Sequence, residues 1–186
     1  RAASSPSRTI AGDPSALPPV RAARIENNGS GKSLSRLLEE GGIDATLGSN
    51  IPEALGCNPD VQRLFPNFHE IERDYFRRTR IFPIMHLVAI RRDTYEANPR
   101  IAASLFRAFE ESKNRALARM KHLGALRYML PWLPEYLDEI DQEFGGDPWP
   151  YGVEANRPTL EALVTYMAEQ GIIAQPLPLE QIFVPV

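Results

Sequence analysis

Seven consecutive residues near the middle of the chain, Ile84-Met85-His86-Leu87-Val88-Ala89-Ile90, are apolar at every position except His86. A half-exposed strand alternates, and a helix repeats every three to four residues. A short unbroken run instead expects burial on both faces, as in a parallel sheet covered by helices. Parallel strands need crossover helices between them, so this run points to the α/β class.

A second run supports that reading. Ser33 to Glu40 has Leu34, Leu37 and Leu38 on one side, Ser33 placed as N-cap, and Gly41-Gly42 placed to end the helix in a left-handed cap. Residues 43–48, Ile-Asp-Ala-Thr-Leu-Gly, then read as a strand. Ser49, Asn50 and Pro52 follow at its carboxyl end, where ligands collect in open α/β sheets.

The remaining pattern is helical. A polar helix is expected from Phe68 to about Arg77. A long one follows Pro99 over residues 99–121, with Leu105, Phe109, Ser112, Ala116 and Met120 as its inner stripe. Arg107, Glu110, Glu111, Lys113 and Arg115 fall mostly off that stripe and are expected to solvate the other side. Another helix starts near Pro134 and stops at Gly145-Gly146. A last one covers residues 158–170, with Asn156 as N-cap and Gly171 beyond its end, and one short turn follows Pro176. Residues 1–32, rich in Ala, Ser, Pro, Gly and Arg, read as a flexible or partly ordered segment with at most a short strand near residues 20–25. The fold expected is therefore α/β with an excess of helix and too few strands for a complete sheet.

Composition narrows the function classes. Hydrophobic residues at 43% and charged residues at 24% are globular values, which argues against wholesale disorder. A net charge of −3 argues against a nucleic-acid binder. Cys57 is the sole cysteine, so disulfides within the chain and CxxC metal sites are excluded. No apolar run is long enough to span a bilayer, and no leader-like segment follows Arg1, so a segment removed upstream or a fragment is expected. Gly29-Ser30-Gly31-Lys32-Ser33 lacks a phosphate-binding loop's first glycine, its place being held by Glu26, and reads as a turn. His69, Glu70, Glu72 and Asp74 spread around more than one helix face and read as solvated surface, so no metal site is expected.

Two places carry chemistry. A histidine inside an apolar strand is commonly a core residue bonded to a carbonyl, yet a buried imidazole titrating near neutrality also suits a general acid, and His86 fits either role. The stretch Trp149-Pro150-Tyr151-Gly152-Val153-Glu154-Ala155-Asn156-Arg157 gathers two aromatics, a carboxylate, an amide and a guanidinium ahead of a helix. It serves equally as a binding loop for an aromatic anion or as a capping loop with aromatic anchors.

With Arg63-Leu64-Phe65-Pro66-Asn67, Phe82-Pro83-Ile84-Met85-His86 and Ile90-Arg91-Arg92-Asp93, that stretch resembles the 4,5-dihydroxyphthalate decarboxylase family. The likeness runs from about Ser33 to Val184. It implies a two-lobe fold like type II periplasmic solute-binding proteins, here incomplete at the N-terminus. Residues 33–82 would belong to the second lobe, and residues 83–186 would form the crossing strand and the C-terminal helical part of the first. Arg80 departs from the family pattern, which usually has glycine there; a long cation at that place would narrow the pocket or add a carboxylate contact.

The resemblance implies decarboxylation of 4,5-dihydroxyphthalate to protocatechuate and CO2 by ring-carbon protonation, without a cofactor, in the cytoplasm. His86 would be the acid and Glu154 would poise or relay the proton. Ser49, Asn50, Arg80 and Arg157 would orient carboxylates while Trp149 and Tyr151 pack the ring. The alternative it implies is a periplasmic solute-binding protein of an ABC-type transporter that clamps a small aromatic or carboxylate ligand unchanged. In both cases a cleft needs a second wall, from an N-terminal lobe or a second copy.

Overall fold

The computed structural model describes residues 9–11, 25–124 and 127–186. Two short strands, β1 (Thr9–Ala11) and β2 (Ile25–Asn27), pair in parallel with Thr9 opposite Ile25. Among the described residues seven helices follow: α1 (Leu34–Glu39), α2 (Phe68–Thr79), α3 (Arg92–Ala97), α4 (Arg100–Lys121), α5 (Leu133–Phe144), α6 (Val153–Glu169) and α7 (Leu179–Ile182). Among the described residues the structure is thus mostly helical. The chain divides into two compact units, one reaching Glu70 and taking back Glu169–Ala174, the other holding Ile71–Ala168 and Gln175–Val186.

In the first unit, Ser33 caps α1 as its position suggests: its hydroxyl accepts from the Arg36 N–H at 3.1 Å. Gly41 follows with φ of 73°, and the Leu37 carbonyl accepts from Gly42 (2.7 Å) and Ile43 (3.4 Å). The strand expected over residues 43–48 is not formed. These residues run as bends and coil, and Leu47 is wholly exposed. A strand exists only by pairing its N–H and C=O groups with a neighbour, and no described segment lies alongside to supply them. The Ser35 hydroxyl, accepting from Glu53 N–H at 3.1 Å, ties the following loop to α1 beside buried Ala54.

The second unit is a helical assembly. Its core is formed by Ala102 of α4, Leu133 and Leu137 of α5, Leu160 of α6 and Leu179 of α7, each leucine contributing about 1.5–3 kcal/mol by leaving water. Ion pairs fasten its rim: Arg73 to Glu139 at 3.2 Å and Arg77 to Glu143 join α2 to α5, and Lys121 to Asp141 at 2.6 Å joins α4 to α5. Gly145, with φ of 64°, ends α5 where its sequence placed the stop.

Three helical expectations need correction. On α4 Ala102 is buried and Leu105, Phe106, Lys113, Leu117 and Met120 are half-buried, whereas Phe109, Ser112 and Ala116 are exposed, so of the expected stripe only Leu105 and Met120 face inward. This is the neighbouring stripe at the same period, and it carries Lys113 inward. Helix α6 begins at Val153, five residues before Pro158, which lies inside it. Pro158 has no N–H to offer the Glu154 carbonyl, but both residues are on the exposed side, where water can serve that group. Asn156 accordingly lies within the helix and is not its N-cap. Helix α3 was not anticipated.

The apolar run at residues 84–90 has no regular secondary structure and joins no sheet among the described residues. Met85, Leu87 and Val88 are 69%, 63% and 65% exposed, and His86 is exposed as well. The expected burial on both faces is therefore not met among the described residues. The physical reason is the one that applies to residues 43–48: no strand lies alongside, so neither ladder nor cover forms. The segment expected near residues 20–25 lies outside the described residues except for Ile25, which opens β2.

Candidate functional site

The loop between α5 and α6, residues 147–152, is held from three directions within the second unit. Lys113 of α4 reaches it with an ammonium group whose side chain is only 7% exposed. Its Nζ lies 2.5 Å from Asp147 Oδ2 and donates to the Trp149 carbonyl at 3.1 Å. It also lies 3.5 Å from Glu110 Oε1 and 4.6 Å from the centre of the Tyr151 ring. Asp147 Oδ1 accepts from the Trp149 N–H at 3.0 Å. The Lys113–Asp147 pair thereby binds both the N–H and the C=O of Trp149.

From α6, the Asn156 amide donates to the carbonyls of Pro150 (2.7 Å) and Gly152 (2.9 Å). Gly152 has φ of 94°, a left-handed value suited to glycine, and its Cα faces the Phe106 ring of α4. The third hold is aromatic. Trp149 meets Phe82 edge-on, with centroids 5.6 Å apart, and Phe82 packs in turn on Phe144 (5.4 Å) and Phe76 (6.2 Å). Phe76 and Phe144 close the cluster at 4.6 Å. The Phe82 N–H donates to the buried Thr159 hydroxyl at 3.1 Å, fixing the start of the 82–90 segment on α6. His86 is four residues further along, within about 14 Å of chain reach.

The other nominated residues divide between the units. Glu154 and Arg157 are on α6, 2.6 Å apart, and Arg157 also reaches Glu161 and Glu180, each at 3.4 Å. Hydrogen bonding to Arg157 holds the Glu154 carboxyl below its ordinary value, and Glu154 in turn raises the Arg157 guanidinium. Arg157 is thus engaged by three carboxylates of the chain itself. Arg80 stands just past α2 with φ of 58°, its guanidinium 5.4 Å from the Phe76 ring centre. Ser49 and Asn50 are exposed in the bends of the first unit.

Sequence reasoning missed Lys113 and Asp147. A stripe through Phe109 puts Lys113 on the solvated side of α4, whereas the half-buried Phe106 puts it inward. The usable signal was the series Ala102, Phe106, Lys113, Leu117, Met120, an inner stripe with a cation in the middle. Among the described residues, no group of three His, Cys, Asp or Glu side chains gathers to hold a metal ion. No helix among them is long and apolar enough to cross a membrane.

The second unit thus presents a firmly held aromatic loop whose Trp149 packs on Phe82, four residues ahead of His86. No family model matches the chain. Over 162 residues, 87% of its length, the chain is 29% identical to a protein of Comamonas testosteroni named 4,5-dihydroxyphthalate decarboxylase. Those residues cover 49% of that relative, so the chain spans about half the length of the curated protein it matches.

Proposed function

We propose that this chain forms part of a decarboxylase acting on an aromatic dihydroxy di-acid, 4,5-dihydroxyphthalate, to give protocatechuate and CO2. The observation that carries the reading is the similarity to the named decarboxylase over nearly the whole chain. The aromatic loop, fixed against the segment that leads to His86, is consistent with it.

The chemistry asks for a proton at the ring carbon that bears the departing carboxylate. His86, as the general acid, delivers that proton while the para hydroxyl gives its own to water, and the ring becomes a dienone. The bond to the carboxylate then breaks, CO2 leaves, the electron pair restores the aromatic ring as a phenolate, and its oxygen takes a proton back from water. Glu154, whose carboxyl Arg157 holds below its ordinary value, poises or relays the proton. Within the second unit, Arg157 and Arg80 orient the carboxylates, and Trp149 and Tyr151 pack the ring.

The placement within a two-lobe fold belongs to the same proposal. Residues 33–82 contribute to one lobe, and residues 83–186 supply the crossing strand and helices of the other. The exposed apolar side chains of residues 84–90 support this, because they leave apolar surface that other polypeptide can cover. That polypeptide would correspond to the half of the relative that this chain does not span.

The test is incubation of the full-length protein with 4,5-dihydroxyphthalate while protocatechuate is followed. Product formation is expected, with His86→Ala lowering turnover at least ~10²-fold. Tight binding without product would replace the enzyme by a solute-binding protein. Turnover unchanged in His86→Ala would remove the imidazole from the mechanism.

A further inference from the structure

We propose that Lys113 is a positioning residue, whose pairing with Asp147 holds Trp149 and Tyr151 as a fixed aromatic platform. Lysine is rarely buried without a partner, because an unpaired ammonium costs far more out of water than its stem gains. Here the ammonium has four neighbours: the Asp147 carboxylate, the Trp149 carbonyl, Glu110 and the Tyr151 ring. Three of the four belong to residues 147–151. One cation on α4 therefore gathers a five-residue loop.

The arrangement differs from an ordinary helix–loop staple in what it leaves outside. A loop anchored only for stability would bury its large rings. Trp149 remains 50% exposed and Tyr151 38%, although both Trp149 backbone groups are taken and Asn156 holds the neighbouring carbonyls. Rigid backbone bearing exposed aromatics is the arrangement that lowers the ordering cost of binding a flat ring. The service of this platform to an aromatic di-acid rests on the decarboxylase reading. The clamp itself does not.

The experiment uses full-length protein with every tryptophan except Trp149 replaced by phenylalanine, Trp132 included, so that Trp149 alone reports. Lys113→Met keeps most of the stem and removes the charge; Asp147→Asn keeps an acceptor for the Trp149 N–H and weakens the pair. Expected for Lys113→Met are unchanged far-ultraviolet circular dichroism, a red-shifted Trp149 emission and easier quenching by acrylamide. KM for 4,5-dihydroxyphthalate should rise about tenfold with a much smaller change in kcat. Asp147→Asn should give an intermediate shift in the same direction, and it decides the matter if Lys113→Met does not fold. Emission and quenching that stay at parental values in a folded variant would overturn the clamp. Loosened emission with KM unmoved would overturn the positioning role. If the parent protein turns nothing over while emission still loosens in the variants, the clamp stands and the decarboxylase reading fails.

Discussion

The Trp149 indole stands edge-on to the Phe82 ring, centroids 5.6 Å apart and planes at 79°. This contact joins the loop before α6 to the first residue of the segment that carries His86, and Phe82 is itself wedged between Phe144 and Phe76. Phe82→Ala removes three aromatic contacts at once. Because the ring is still partly exposed, the expected loss is about 2 kcal/mol, below the range for a fully buried phenylalanine. Urea unfolding measures it, and Trp149 emission should shift red in the folded variant. An unchanged midpoint would mean that the cluster contributes nothing to the unit.

Arg80 offers a gain. Its φ of 58° lies in the left-handed region, which costs a residue with a Cβ about 1 kcal/mol and glycine almost nothing. Against this, the guanidinium over Phe76 at 5.4 Å returns about 0.5 kcal/mol at an exposed site. Arg80→Gly should therefore stabilise the protein by about 0.5 kcal/mol in urea unfolding. The physical reason for glycine at this point is the turn that ends α2. If Arg80 also draws a substrate carboxylate, the same variant should raise KM while it raises stability.

Acid should destabilise the fold through carboxylates that are held ionised. Glu143 is kept below the ordinary value by hydrogen bonding to Arg77, Glu154 by Arg157, and Glu40 by Lys32 and then Arg36. A lowered carboxyl binds fewer protons in the folded state than in the unfolded one. Its stabilisation is complete above the ordinary glutamate value of about 4.3 and is lost as pH falls through the lower folded value. The melting temperature is expected to be level from pH 7 to 5 and to fall below about pH 4.5. Glu143→Gln should lower it at pH 7 and flatten the acid limb.

How much of this was legible from the chain depends on whether a feature is local. The cap at Ser33, the glycine stop after α5 and the body of α4 follow from neighbouring residues, and they stand where the sequence puts them. The start of α6 did not, because Pro158 reads as a first-turn residue, whereas it lies inside the helix at an exposed position. Residues 43–48, which follow a helix and a glycine pair, and the apolar run 84–90 read as strands from local pattern alone. A strand is a relation between segments, and residues 43–48 and 84–90 have no described neighbour to pair with. The aromatic loop was legible as a cluster of residue types. Its fastening was not, since Lys113 and Asp147 are 34 residues apart and only the packing of α4 brings them together.

The Glu154–Arg157 pair sets up the sharpest test of the proposed site. At 2.6 Å the carboxylate occupies the guanidinium that the proposal assigns to substrate, with Glu161 and Glu180 at its other edge. A di-acid arriving there must displace a carboxylate of the protein or share the cation with it. Glu154→Gln removes that competitor and one negative charge, so KM for 4,5-dihydroxyphthalate should fall severalfold, and more at low salt, where exposed charges are least screened. If Glu154 also poises His86, kcat should drop in the same variant by about 10²-fold, the scale of a lost acid–base group. Steady-state kinetics separates the two effects. A lower KM with kcat intact leaves Arg157 as a substrate ligand and removes Glu154 from proton transfer. A KM that does not fall shows that Arg157 serves α6 and α7, and that another cation meets the substrate.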